Sequence, residues 1–450
     1  MRVLQLNLSD YHLNGGTGIA MHRLHVALQK AGVESKILCK LKTLDNSQNI
    51  VQISSSRTLQ KIENQTRRIT SKLGLNDVHA ISSLNIKNNK VYLDADILNL
   101  HCIHEGFFSY LSLPLLTASK PAVFTFHDMW AFTGHCAYSY DCDRWKIGCG
   151  KCPYPDSSPA IKRDATRLEW KLKNWAYSHS NLTITTPSKW MAHQAKQSMF
   201  KHFPIHYIPY GLDTKTYQPL PSEQCRSLLE IPQGKKVLLF AAEKLNDPRK
   251  GGDLLNKALQ SLPESLKAET VLLLLGGSGE AITEITGLQT LNLGYLSNQS
   301  LMAIAYSAAD LLLFSSRGDN MPLILQESMA CGTPMVAFKV GGVPELVRPG
   351  ITGYLAEPEN AEDFRDGIVQ LLEDQPLRSY MSHQCREIAV KEYSIELYAQ
   401  RYIELYRQLL QHRGAQTRSD LLSHSSSEDI NRNFHNSTLV GCQANTERDA

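Results

Sequence analysis

The chain has 450 residues, 42% of them hydrophobic and 8% aromatic, with 47 Lys+Arg against 44 Asp+Glu. At roughly 150 residues per domain this length predicts two or three domains, each large enough to need no disulfide or metal staple. A formal charge of +3 is near neutral for the size, which argues against a nucleic-acid partner, and no run approaches the roughly 18 apolar residues of a membrane span.

The first element, Val3–Asn7, reads as a buried strand entering a glycine turn, Asn14–Gly18, and then a helix. The opening MRVLQLNLSDYHLNGG lacks the apolar core and cleavage site of a secretory signal, so the expected compartment is the cytoplasm. A strand at Ser35–Leu38 precedes a basic stretch, Arg57–Lys90, in which Leu59, Ile62, Ile69 and Leu73 share one helical face. Such a helix suits an anionic membrane surface, and equally a solvated protein face. Strands follow at Ile97–His101, Ala122–Phe126 and Leu182–Thr186. A helix is expected over Ile161–Ala176, its apolar face formed by Ile161, Ala165, Leu168, Leu172 and Trp175. Tyr207–Pro221, rich in Pro, Gly and polar residues, reads as a linker. A second strand series then runs Val237–Ala241, Val271–Leu275, Leu311–Ser315 and Met335–Phe338.

These runs are apolar throughout, as strands covered on both faces require, and they alternate with helical stretches. The pattern predicts an α/β chain with two Rossmann-like, doubly wound parallel-sheet domains at 1–210 and 211–390. A helix over 391–411 is expected to pack back on the first domain. The tail 412–450, poor in aliphatic residues, is expected to be disordered.

Chemistry concentrates at the strand ends. After Leu311–Ser315 come Asp319 and Glu327, eight residues apart, at a strand-to-helix crossover where open α/β sheets bind ligands. A carboxylate at Glu327 can accept both hydroxyls of a ribose diol. Beyond it, Gly341–Gly342–Val343–Pro344–Glu345 opens another expected helix. The stretch Phe240–Gly252 places Lys244 and Lys250 at a sheet mouth, where cations neutralise a departing diphosphate. Gly15, Gly16 and Gly18 permit close backbone approach to a ligand. GGTG is not the GxGxxG of dinucleotide enzymes, which lowers the oxidoreductase reading. His127 and Asp128 stand at the end of Ala122–Phe126. His101 and His104 stand at the end of Ile97–His101.

The Asp319-x7-Glu327 spacing, the Lys244/Lys250 pair, the first glycine turn and the run HDMWAFTGHCAYSYDC together resemble glycosyltransferase family 4. The longer run is similar to its colanic-acid and exopolysaccharide type. The resemblance spans Val3 to about Leu410 and implies a GT-B fold, a nucleotide-sugar donor and transfer with retention. It implies that Glu327 binds ribose, that Lys244 and Lys250 hold the diphosphate, and that Asp319 and His127 touch the donor sugar. Gly16 and the backbone of Gly341, Gly342 and Val343 would also meet the donor. Catalytic roles thus fall on His127, Asp319 and Lys250. The sequence departs from the family pattern at Asp319, where Glu is usual, and at Lys244, where Arg is usual.

Within a loop over 135–153, the series Cys136-x5-Cys142-x6-Cys149-x2-Cys152 ends in a C-x2-C pair. It reads as a candidate structural Zn²⁺ site, with two disulfides or free thiols as alternatives. No metal or cofactor is required for the transfer itself. The expected partners are a nucleotide-sugar donor, a saccharide or lipid-linked acceptor and an anionic membrane surface, with no nucleic acid. The implied activity is sugar transfer in the synthesis of exopolysaccharide or other cell-surface polysaccharide. A sugar-nucleotide epimerase of the same architecture, or a zinc-binding scaffold with a degenerate sugar site, are the other readings.

Overall fold

The computed structural model describes residues 1–11, 15–44, 48–53, 56–244, 247–277 and 287–413, apart from the side chains of 242–244 and 277. Nearly all of the expected disordered tail lies outside the described residues. The chain divides into two compact units, Met1–Tyr402 and Ile403–Ala450. The first unit holds both sheets, and the described part of the second, 403–413, is helical.

The first sheet consists of β1 Arg2–Ser9, β2 Glu34–Leu41, β3 Ile50–Gln52, β4 Ile97–Leu100, β5 Ala122–Thr125, β6 Leu182–Thr186 and β7 Ile205–Tyr207. Their order is β3-β2-β1-β4-β5-β6-β7, with parallel neighbours throughout. The second consists of β8 Lys236–Lys244, β9 Thr270–Gly277, β10 Gln289–Asn292, β11 Leu311–Phe314, β12 Met335–Phe338 and β13 Gly353–Ala356. Its order is β10-β9-β8-β11-β12-β13, again parallel. In both sheets the winding reverses beside the first strand, between β1 and β4 and between β8 and β11. Crevices of this kind lie at the carboxyl ends of the strands and receive ligands.

The two expected doubly wound sheets are present. Strands such as β4, β5, β6, β11 and β12 are buried along their whole length, which is why they read as continuous apolar runs. The strands that sequence patterning did not reveal, β3, β7, β10 and β13, stand at sheet edges and are three or four residues long. An edge strand packs against fewer neighbours, so no apolar run marks it.

One expected element is corrected. The helix placed at Ile161–Ala176 runs from Thr166 to Ser178, and its inward face carries Thr166, Glu169, Lys173, Ala176 and Tyr177. Leu168 and Trp175, assigned to the apolar face, are exposed. The reason is a buried ammonium group. Lys173 Nζ donates to the carbonyls of Trp130 at 2.7 Å and Thr133 at 3.2 Å, and it lies 3.5 Å from the centre of the Trp130 ring. Hydrogen bonds and a cation–π contact compensate its desolvation, so periodicity of apolar residues misplaced the face.

Burial raises Glu169, one helical turn away, to about 8, outweighing the lowering effect of Lys173. Burial likewise lowers Lys173 to about 8. A carboxyl whose folded pKa lies above its unfolded value binds its proton more tightly in the native state. Its contribution to stability is full below the unfolded value of 4.5 and is lost as pH rises towards 8. Between pH 5 and 8 the urea midpoint of Glu169→Gln is therefore expected to fall less than that of the unmodified chain. Parallel pH dependences for the two proteins would contradict this account.

Candidate active site

The loop after β11 is laced to the loop after β8. Ser315 Oγ donates to the Lys250 carbonyl at 2.9 Å, Ser316 Oγ to that of Arg249 at 3.0 Å, and the Arg317 N–H to the same Arg249 carbonyl at 2.8 Å. Gly251, between the basic turn and the next helix, has φ +66°, and a Cβ there would stand 1.9 Å from the Ser315 carbonyl oxygen. Only glycine allows the two loops to approach this closely.

The lacing brings the acid and the cations together. Asp319 Oδ2 is 3.2 Å from both Lys250 Nζ and Arg249 Nη1. Its Oδ1 accepts the Asn320 N–H at 2.9 Å. Burial lowers the Lys250 pKa, with Asp319 opposing it. For Arg249 burial also acts downward, but Asp319 and Tyr138 leave it raised. The guanidinium lies 5.3 Å from the centre of the Tyr138 ring, which reaches it from the cysteine-containing loop. Arg249 did not stand out in the sequence, although it directly precedes Lys250. Lys244 ends β8, opposite Gly277. Its side chain lies outside the described residues.

Glu327 belongs to the helix Leu323–Ala330 and is buried. Its Oε1 accepts from Arg23 Nη2 at 2.5 Å and its Oε2 from the Tyr306 hydroxyl at 2.9 Å. Arg23 comes from the helix Gly15–Lys30, on the other sheet's side, and its guanidinium lies 5.5 Å from the Tyr217 ring centre. Burial acts to lower the Arg23 pKa, but Glu327 and Tyr217 leave it raised. With one donor on each oxygen, the carboxylate keeps lone pairs for further hydroxyl donors. Sequence reasoning missed Arg23 and Tyr306. The visible signal for Arg23 was a lone cation among Ala20, Met21, Leu24, Ala27 and Leu28, all of them buried.

His127 follows β5 and is bonded at both ring nitrogens, Nε2 to His101 Nδ1 at 2.9 Å and Nδ1 to the Tyr210 hydroxyl at 2.5 Å. Burial lowers His127 to about 4 and holds His101 well below its ordinary value, so both rings are neutral at pH 7. Beside them His104 Nε2 lies 3.4 Å from Asp128 Oδ2. Burial pulls His104 downward, but Cys102 and Asp128 together hold it well above its ordinary value. His101, His104, Phe126, His127 and Asp128 line one small cavity, about the size of a single water. The two halves of the site meet at Asn320, whose Nδ2 donates to the carbonyls of Phe126 at 3.2 Å and His127 at 3.0 Å. Asp319 is thereby held beside the histidine strand end.

The glycines divide by role. A Cβ on Gly16 would meet only Leu323, at 3.7 Å, so the turn there is open. On Gly18 it would lie 1.7 Å from the Tyr11 carbonyl oxygen, which makes that glycine a packing requirement. Gly341 and Gly342 pack on the carbonyls of Asp319 and Asn320, each 1.9 Å from an added Cβ. The Gly342 and Val343 N–H groups already donate, to Asp319 at 3.1 Å and Val340 at 3.0 Å. The helix expected at 341–345 is a single 3₁₀ turn, Val343–Glu345. Its Glu345 carboxylate accepts the Lys189 and Trp190 N–H groups at 3.0 Å each and so caps the helix Lys189–Lys196.

Cys136, Cys142, Cys149 and Cys152 are free, partly buried thiols. The Gly134 N–H donates to Cys149 Sγ, and His135 Nε2 lies beside Cys152 Sγ, both at 3.2 Å. Among the described residues no three or more His, Cys, Asp or Glu side chains are grouped to hold a metal ion.

Two family models match and between them cover most of the chain. Residues 14–216 match Glycosyltransferase Family 4, and residues 222–388 match Glycosyl transferases group 1. The chain thus carries a Glycosyltransferase Family 4 domain followed by a Glycosyl transferases group 1 domain. The break between the two matches falls in the expected linker.

Among curated relatives, the putative colanic acid biosynthesis glycosyl transferase WcaC of Escherichia coli K12 is 24% identical over 70% of this chain and 76% of its own length. N-acetyl-alpha-D-glucosaminyl L-malate synthase of Bacillus anthracis is 26% identical over 50% of this chain and 60% of its own. A D-inositol 3-phosphate glycosyltransferase of Mycolicibacterium smegmatis is 31% identical, but the match spans only 41% of that enzyme.

Two solved structures share the fold. Sucrose-phosphate synthase of Thermosynechococcus elongatus has a TM-score of 0.66 and 20% identity, covering 92% of this chain and all of that one. Anabaena HepE, solved with UDP-glucose, has a TM-score of 0.64 and 15% identity, covering 91% of this chain and all of its own. The GT-B glycosyltransferase fold and the exopolysaccharide-type resemblance are both borne out.

Proposed function

We propose that this glycosyltransferase moves a sugar from a nucleoside-diphosphate donor to a hydroxyl of a saccharide or lipid-linked saccharide, with retention, in cell-surface polysaccharide synthesis. The observation that carries this reading is the cluster of Lys250, Arg249 and Asp319, tied through Asn320 to the His127 strand end. Two cations at the mouth of a sheet stabilise the charge that grows on a leaving diphosphate. The bond from the anomeric carbon to the diphosphate oxygen breaks. The acceptor oxygen bonds the same face of that carbon, and its proton passes to the leaving diphosphate. Glu327 takes the ribose hydroxyls, and Asp319 and His127 face the sugar.

The test is incubation of the purified chain with UDP-, GDP- and ADP-sugars, with and without saccharide and lipid-linked acceptors. Acceptor-dependent release of a nucleoside diphosphate and a product of unchanged anomeric configuration are expected. Acceptor-independent change of the donor sugar would make the chain an epimerase, and absence of any turnover would leave the scaffold reading. The same preparation tests the Zn²⁺ proposal for the four-cysteine loop. About one zinc per chain supports it, and metal-free thiols rule it out.

We further propose that the chain works at the cytoplasmic face of an anionic membrane. No helix among the described residues is long and apolar enough to cross one. The helix Arg57–Lys72 has no buried residue, exposes Ile62 and Ile69, and carries Arg57, Lys61, Arg67, Arg68 and Lys72 against one acid, Glu63. At about 1 kcal/mol per basic residue near an anionic surface, Arg67→Glu with Arg68→Glu is expected to weaken sedimentation with phosphatidylglycerol vesicles at least tenfold. Equal binding by both proteins would remove this helix from the reading.

A further inference from the structure

The hydrogen-bonded chain behind His127 has a direction. Gln5, buried in β1, turns its Oε1 to His101 Nε2 at 2.8 Å. A carbonyl oxygen only accepts, so His101 Nε2 carries the proton and His101 Nδ1 is bare. The bare Nδ1 then accepts from His127 Nε2, 2.9 Å away. His127 is neutral and has one ring proton, so its Nδ1 is bare as well. That nitrogen now accepts from the Tyr210 hydroxyl, a phenol on the linker between the two domains. Each partner's chemistry fixes the next, beginning at an amide that sits on a different strand from either histidine.

We propose that His101 is a positioning residue which, backed by Gln5, locks His127 as the Nε2–H tautomer and so reserves Nδ1 as an acceptor for a substrate hydroxyl. The proposal rests on the glycosyltransferase reading above, in which His127 faces the donor sugar. Tyr210 occupies the place of that hydroxyl, and a sugar O–H replaces it with the same polarity. An Nδ1–H tautomer would present a donor to Tyr210 and to the sugar alike, and would leave His127 Nε2 facing His101 with no proton to share. The lock thus decides which sugar hydroxyl geometry the site accepts without His101 touching the substrate.

The test combines nitrogen NMR with kinetics. In the ¹⁵N-histidine-labelled full chain, with His127 assigned by its loss in His127→Gln, the ligand-free spectrum is expected to show protonated Nε2 and bare Nδ1. His101→Phe removes the acceptor and is expected to give a mixed tautomer. It is also expected to lower kcat at least twentyfold on the UDP-, GDP- or ADP-sugar that the chain turns over, with KM changed less than threefold. His101→Asn places a carbonyl oxygen where Nδ1 stood, and is expected to restore the single tautomer and most of kcat. Protonation of His127 at Nδ1, an unchanged tautomer in His101→Phe, or equal kcat losses in the Phe and Asn variants would overturn the proposal. Absence of transfer by the unmodified chain would instead overturn the functional reading, and the NMR measurement would still decide the tautomer.

Discussion

Glu327→Ala is expected to abolish the thermal stabilisation that a nucleoside diphosphate confers on the unmodified chain. A ligand present at a hundred times its Kd adds about 2.7 kcal/mol. For domains of this size that raises Tm by several degrees, at roughly 2–4 °C per kcal/mol. Hydrogen bonds to a charged group contribute about 1.5–3 kcal/mol each, so loss of two ribose contacts lowers affinity by a factor on the order of 10² or more. Alanine also strands Arg23, which is buried and relies on Glu327. Breaking such a pair costs about 3–5 kcal/mol of stability, and the ligand-free Tm is expected to drop as well. Glu327→Gln separates the two effects, because it keeps the shape of the side chain and an oxygen for Arg23. Titration calorimetry with UDP, GDP and ADP on the Gln variant is the decisive comparison. Affinity within threefold of the unmodified chain would remove ribose binding from Glu327.

Lys250→Ala should leave the fold and the nucleoside contacts in place and act on turnover. Asp319 retains Arg249 as a partner at 3.2 Å, so no carboxylate is left unpaired when the lysine is removed. Loss of a preorganised charge at the leaving group typically costs about 10²–10³ in kcat, and that range is expected here. Arg249→Ala, which removes the second cation on Asp319, should cost a comparable factor. It also removes the cation that Tyr138 covers, so its effect on stability is expected to be the larger of the two. If Lys250→Ala and Glu327→Ala both left turnover within about threefold, a loss under ~1 kcal/mol, the catalytic centre would have to lie elsewhere.

Both results bear on residues that the sequence alone singles out. Asp319, Lys250 and His127 each follow a strand by a few positions and Glu327 lies in the helix that comes next, and parallel α/β sheets place such residues on one side. Their local context therefore carried them. The strand runs were legible for the same reason, since burial on both faces demands apolar residues at every position. The helix at Thr166–Ser178 was misread because its inward face is held by Lys173, and hydrogen bonding to carbonyls leaves no periodic trace.

The amino-acid sequence by itself determined the two parallel sheets and the set of acids, cations and histidine offered at the strand ends. What only the tertiary structure decided was how those groups are paired. Arg23 meets Glu327 across 304 positions, Asn320 meets His127 across 193, and His101 meets Gln5 across 96. Such pairings depend on sheet order, strand register and the apposition of two domains. Each partner taken alone is an ordinary polar residue with no spacing or pattern to mark it.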